Sequence, residues 1–269
     1  AQKMARIAKA ALVLLLPGSE ALLVSQSQQA QSEDLSCICM NWADVYKESK
    51  HHNVTCGQGM ELFSTMDAMN VGLEHNVRNK VALAKNHASA SQALEKLKST
   101  LVYKEFCTNF FMKANFNYCV NKRFMPKKDD LHLSKGTWCY VSNKCKLPSA
   151  TPIPYTDLSA KLCSRQLDET LGKLLIEDAV KLGISQNLDQ QMIAGHAYIY
   201  RDMNVSEVTE PVLQEIMNAQ EGKGGTLVSN SKEMHGKRLV VRGHSVYEHT
   251  FNKTWVGHAH WDVKCIRDC

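Results

Sequence analysis

The order of apolar and polar positions divides this chain into a helical middle and an extended tail. Between Val77 and Val102 there is no Gly or Pro, and Val81, Ala84, Ala88, Leu94, Leu97 and Leu101 recur at helical spacing. Val102, Phe106 and Phe110 extend that line. Cys107 and Phe111 lie beside it four residues apart, which places a cysteine on a buried aromatic face. Three more helices are predicted further on. Leu167, Leu171, Leu174, Leu175, Asp178 and Leu182 share a face that Gly183 closes. Leu188, Met192, Ile193 and Ile199 mark a second, starting from Ser185 or Asn187. Val212, Leu213, Ile216 and Met217 mark a third, capped by Thr209 with Pro211 in its first turn.

The period changes in the tail. Arg238 to Phe251 and Thr254 to Ile266 read as two strands with Asn252-Lys253 as the turn. Trp255, Gly257, Ala259, Trp261, Val263 and Cys265 share one face of the second strand; Val256, His258, His260, Asp262 and Lys264 share the other. The predicted fold class is α+β and mainly helical. It comprises a disulfide-stapled N-terminal module, then helices, then a C-terminal β-hairpin.

The start of the chain has a different character. Ala5 to Lys9 is short and basic, Ala10 to Leu16 is apolar and ends at Pro17-Gly18, and Ser19-Glu20-Ala21 offers small residues for cleavage. That apolar run is less than half of the roughly 20 residues a membrane-spanning helix needs. Residues 1–21 are therefore expected to be a secretory signal peptide, with no membrane span left after its removal. Residues 22–36 are polar and Gln/Ser-rich, a lead-in expected to lack fixed structure. Pro148, Pro152 and Pro154 make a stiff connector. It is expected to separate a cysteine-rich helical module over 37–147 from a helical region with the hairpin over 155–269.

Charge adds an exclusion. The formal net charge of +5 falls to +3 without the leader, which carries Lys3, Arg6 and Lys9 against Glu20. So small and evenly spread a surplus does not point to nucleic acid. Lys122, Arg123, Lys127 and Lys128 cluster, but Asp129 and Asp130 follow at once, as in a solvated loop.

Ten cysteines follow the leader: Cys37, Cys39, Cys56, Cys107, Cys119, Cys139, Cys145, Cys163, Cys265 and Cys269. An even number behind a signal peptide predicts disulfides, with the pairing left open by spacing. Structural zinc favours paired Cys-x2-4-Cys knuckles, and neither Cys37-x-Cys39 nor Cys265-x3-Cys269 has a second knuckle to match. Cys37 and Cys39 are too close along the chain to join each other easily, so each is expected to bridge elsewhere, Cys56 being one candidate. Cys265 and Cys269 are expected to tie the terminus to the body. Sequons at Asn53, Asn204 and Asn252 predict three surface positions open to N-glycosylation.

The tail holds the candidate chemistry. If Phe251 pairs with Thr254, then His249, His258, His260 and Asp262 fall on one face. Imidazoles and a carboxylate in that arrangement can hold zinc or copper. The competing reading is a polar strip facing solvent. His258-Ala-His260-Trp-Asp262 begins like the His-x-His-x-Asp-His motif of metallo-hydrolases, but Val263 stands where the last histidine belongs. Gly222-Lys-Gly224-Gly225-Thr226 lacks the order of a phosphate loop, and neither Gly-x-Ser-x-Gly nor His-Glu-x-x-His occurs. Ten paired cysteines leave no thiol nucleophile.

Cys37-Ile-Cys39-Met-Asn-Trp42, Val54-Thr-Cys56-Gly, Asn117-Tyr-Cys119-Val-Asn and Trp138-Cys139-Tyr140-Val141-Ser, with Cys145 following, are similar to segments of signal-peptide-bearing, cysteine-rich proteins of dinoflagellate algae. The resemblance spans roughly Cys37 to Cys163. It implies secretion and a disulfide module, and it carries no catalytic residues. In that lineage a signal peptide can also open a plastid presequence, which makes the plastid the alternative address. Residues 22–36 lack the arginines of a transit peptide.

The expected function is that of a secreted or luminal glycoprotein with a non-enzymatic binding or structural role and no cofactor. Its partner is expected to be a glycan or a cell-surface protein. Trp42, Trp138 and Tyr140 are candidates for contact with sugar rings, and equally for core packing against disulfides. The alternative is a metal-binding protein or metal-dependent hydrolase using the tail histidines with Zn or Cu.

Overall fold

Two β-sheets carry the fold in the computed structural model, which describes residues 35–50, 52–62, 92, 95, 98–122, 124, 136–220, 224–230, 237–252 and 260–269. The first sheet has four antiparallel strands in the order β1 (Val120–Asn121), β2 (Thr137–Ser142), β4 (Leu158–Cys163), β3 (Ala150–Pro152). The second runs β5 (Ile199–Asp202), β6 (Thr226–Ser229), β7 (Arg238–Arg242), β8 (Ser245–Asn252), β9 (His260–Arg267). The described helices are short: α1 (Trp42–Val45), α2 (Leu101–Tyr103), α3 (Ile176–Ser185), α4 (Gln190–Ala197) and α5 (Glu210–Asn218). The chain is α+β, and the expectation of a mainly helical fold is corrected.

The reason lies in burial. In β2, Thr137 to Val141 are all buried. A strand covered on both faces loses its polar–apolar alternation and reads as a short apolar run, which carries no period to identify it. The proline connector hid another strand. Pro152 ends β3 at the edge of the sheet, where a residue without an N–H is tolerated. The expected boundary between 147 and 155 thus falls inside a sheet, and Ser36–Cys269 form one compact unit.

The second sheet opens with a β–α–β unit. Strands β5 and β6 pair in parallel, which requires a crossover connection, and α5 lies in that connection. Its two faces divide with period two. Leu227, Val240 and Tyr247 line up across three strands and join the main core. Val228, Leu239, Val241 and Val246 turn the other way, against Ile216 and Met217 of α5. Thr209 occupies the N-cap position of α5, without a side-chain capping hydrogen bond, and Pro211 sits in its first turn, where the sequence places them. Residue 183 does not end α3; a Cβ there would strike the Gln190 side chain, so glycine lets the two helices close. The cap of α4 is Asp189, whose carboxylate accepts from Met192 N at 3.0 Å. Ile199 belongs to β5, not to that helix, and Leu167 is 85 % exposed.

The tail is also corrected. The expected single strand from Arg238 to Phe251 is two strands, turned at Gly243-His244 with Arg242 opposite Ser245. Gly243 has φ +59°, which suits the first position of a type II′ hairpin turn. The next hairpin pairs Phe251 with Trp261 and Asn252 with His260, so Asn252-Lys253 does not form a tight turn. The leader, nearly all of the lead-in, and most of the helix predicted from Val77 lie outside the described residues. Among the described residues, no helix is long and apolar enough to cross a membrane.

Candidate functional site

All ten cysteines are bridged. The pairs are Cys37–Cys145, Cys39–Cys139, Cys56–Cys107, Cys119–Cys163 and Cys265–Cys269. The chain around Cys37 and Cys39 runs beside β2, with Met40 N donating to Tyr140 O at 2.8 Å, so Cys39 bridges into that strand and Cys37 to Cys145 just beyond it. Cys56 pairs with Cys107 instead. The latter sits in a π-helical turn over Lys104–Phe111 that buries Phe106, Cys107, Phe110 and Phe111 together. Cys265 and Cys269 close on each other rather than on the body. The terminus is anchored by Arg267, whose guanidinium lies 2.8 Å from Glu210 in the first turn of α5.

Two bridges form one cluster. The sulfurs of Cys39, Cys119, Cys139 and Cys163 all lie within 4.8 Å of one another. Across the two bridges, Cys39 Sγ is 3.3 Å from Cys119 Sγ and Cys163 Sγ is 3.7 Å from Cys139 Sγ. Cys119 and Cys139 are fully buried, and Cys39 and Cys163 are half-buried. As four thiolates these sulfurs would suit a tetrahedral zinc centre, but bridged sulfurs carry no thiolate charge to offer a metal. Beside the cluster, Lys161 stands directly across the sheet from Cys139. Its buried ammonium is 2.6 Å from Asp168 and donates to Cys37 O at 3.0 Å. The same carboxylate accepts from Ser164 N at 2.7 Å, so the ion pair is fixed at both ends.

The candidate contact aromatics belong to the same hydrophobic core. Trp42, Trp138 and Tyr140 are each 0 % exposed, so they present no face to a sugar and act as core. Trp42 stands edge-on to Trp138, with ring centroids 4.8 Å apart, and to Tyr140 at 5.6 Å. A buried carboxylate completes the group. Glu61 accepts from Tyr46 Oη at 2.7 Å and from Tyr140 Oη. Burial raises its pKa above the usual carboxylate range, and the two phenol hydrogen bonds oppose that rise.

His196 of α4 sits in a nest of four phenylalanines. It stacks on Phe110 with centroids 4.7 Å apart, and Phe106, Phe111 and Phe124 close around it. Neither ring nitrogen has a hydrogen-bond partner among the described residues. Burial pushes its pKa down to about 3, against a small opposing pull from the Asn121 backbone. Phe124 can pack this close to α4 because residue 195 is glycine; a Cβ there would run into its ring.

The tail histidines are arranged differently from expectation. His249 lies across from Val263 on one side and Arg238 on the other, and is 4 % exposed. Burial, then the neighbouring guanidinium, lowers its pKa to about 4. Asp262 lies across from Thr250 and is exposed, so His249 and Asp262 occupy opposite faces of the ribbon. The side chain of His260 and the whole of His258 lie outside the described residues. The grouping of all four on one face depended on the Phe251–Thr254 register, which the Phe251–Trp261 pairing replaces.

Of the sequons, Asn53 is exposed. Asn204 is half-buried, and its Nδ2 donates to Glu207 Oε1 at 2.8 Å. The side chain of Asn252 lies outside the described residues. A surface groove of roughly 340 Å³ opens between the end of α5 and the β7–β8 turn, lined by Asn218, Gln220, Arg242 and His244 among others. Arg242 is held there by a bond to Lys173 O at 2.6 Å.

The four-sulfur cluster was beyond sequence reasoning. Residues 39, 119, 139 and 163 have no shared spacing, and only the β2–β4 pairing and the N-terminal segment alongside bring them together. Comparison with family models, with curated proteins and with solved structures finds no match to this chain.

Proposed function

We propose that this protein is a secreted or luminal glycoprotein with a binding or structural role, built for an oxidising compartment. One observation carries the reading. Four bridges spanning 44 to 108 residues knit Cys37–Cys163 into a single sulfur and aromatic core. Long-range bridges of that density form and persist where thiols are oxidised. The leader-like start, the exposed Asn53 and the resemblance to secreted cysteine-rich algal proteins favour the same address. Trp42, Trp138 and Tyr140, the aromatic candidates for ligand contact, are occupied in holding the core. A binding role therefore rests on the surface, where the groove by Arg242 and His244 offers donors suited to a polar partner such as a glycan.

Expression of the full chain in a eukaryotic secretory host tests this reading. The expected product leaves the cell, titrates with no free thiol, and loses mass on treatment with an N-glycosidase. Recovery from the cytosol with most thiols free would sink it.

A further inference from the structure

We infer that Cys39, Cys119, Cys139 and Cys163 form a thiol-triggered disulfide-exchange site, able to re-pair internally on contact with one external thiolate. The ligand class is a small solvent thiol of the glutathione type.

The geometry defines a closed sequence of steps. In each bridge one cysteine is half-buried and the other fully buried, so the approach open to an external thiolate is at Cys39 or Cys163 and not at their buried partners. Attack on Cys39 Sγ forms a mixed disulfide and breaks Cys39–Cys139, leaving the electron pair on Cys139 as a thiolate. That thiolate lies 3.7 Å from Cys163 Sγ. Its attack there forms Cys139–Cys163 and expels Cys119 as the thiolate. Cys119 is 3.3 Å from Cys39 Sγ, which now carries the external sulfur. Its attack forms Cys39–Cys119 and releases the external thiolate unchanged. Each step makes one S–S bond and breaks one, so the external thiol is a catalyst and no oxidant or reductant is consumed. Entry at Cys163 runs the same steps in another order and gives the same products.

The two pairings tether different parts of the fold. In the observed state, Cys39 ties the N-terminal segment to β2, and Cys119 ties the start of β1 to β4. In the exchanged state, β2 and β4 are joined directly, and the N-terminal segment is joined to the start of β1. The bridges Cys37–Cys145 and Cys56–Cys107 take no part, because neither belongs to the four-sulfur cluster.

The test uses the oxidised full chain at pH 8 without oxygen, with substoichiometric glutathione as the probe. Alkylation and non-reducing peptide mapping by mass spectrometry give the readout. Expected are new Cys39–Cys119 and Cys139–Cys163 links, a thiol titre no higher than the added glutathione, and unchanged Cys37–Cys145 and Cys56–Cys107 links. A Cys119→Ser chain provides a second readout that needs no added thiol. It leaves the Cys163 thiolate beside Cys139, so part of the alkylation label should move from Cys163 to Cys39. Original links alone in the first experiment, together with label confined to Cys163 in the second, would overturn the proposal. So would scrambling that spreads equally to the other bridges.

Discussion

The indole of Trp42 meets that of Trp138 edge to face at 4.8 Å, while its Nε1 donates to Tyr118 O at 2.9 Å. One side chain thus joins α1, the segment before β1, and β2. Trp42→Ala should cost about 3–5 kcal/mol, the range for removing a large buried aromatic. Trp42→Phe should keep most of the packing and lose the hydrogen bond, costing about 1–3 kcal/mol. Urea unfolding of the oxidised protein checks both, and equal costs for the two changes would show that the Nε1 bond dominates.

The bridge between Cys56 and Cys107 closes a loop of sequence separation 51 and lies apart from the sulfur cluster. The paired change Cys56→Ser with Cys107→Ser should lower stability by about 4 kcal/mol, chiefly by freeing the unfolded chain. Unfolding midpoints with the other four bridges intact measure it. A loss below about 1 kcal/mol would mean that the π-helical turn holds itself in place without the staple.

Acid should weaken the fold through His196. Its pKa is about 3 in the folded protein and its ordinary value is 6.5, so the unfolded chain takes up the proton first. The stability is fully present above pH 6.5 and is lost as pH falls from there towards 3. Between pH 7 and pH 5 the loss from this residue should be about 2 kcal/mol. His249, lowered to about 4, should add a loss of the same sign. His196→Phe suits the phenylalanine nest and should flatten the pH dependence by its share. Denaturation at pH 7 and pH 5 for both proteins checks this, and an unchanged slope in the variant would assign the effect elsewhere.

Asn53 should carry a glycan in preference to Asn204. The first is exposed, whereas the second is half-buried and uses its Nδ2 to hold Glu207. Removing the Asn204–Glu207 bond should cost about 1 kcal/mol, so a folded chain modified at Asn204 would be penalised. Glycopeptide mass spectrometry of secreted material reads the occupancy directly. Higher occupancy at Asn204 than at Asn53 would contradict the expectation.

Local rules made some of this protein legible from its sequence alone. Thr209 and Pro211 marked the start of α5, because caps and first-turn prolines act within a few residues. The four-residue spacing of Cys107 and Phe111 put both on a buried face, since helical geometry fixes such neighbours. An even cysteine count implied bridges, which all ten residues form. Tertiary structure decided the rest. β2 and the first four residues of β4 are buried on both faces, and a two-sided cover leaves no period in the sequence. The turn at Gly243 split an expected strand, and the Phe251–Trp261 register separated His249 from Asp262, since a strand's faces are set by its partner. Which cysteine meets which followed from the N-terminal segment lying beside β2, with bridges of sequence separation 108 and 100, and from the pairing of β2 with β4. Contacts at that range depend on how the whole chain folds back, and no local spacing records it.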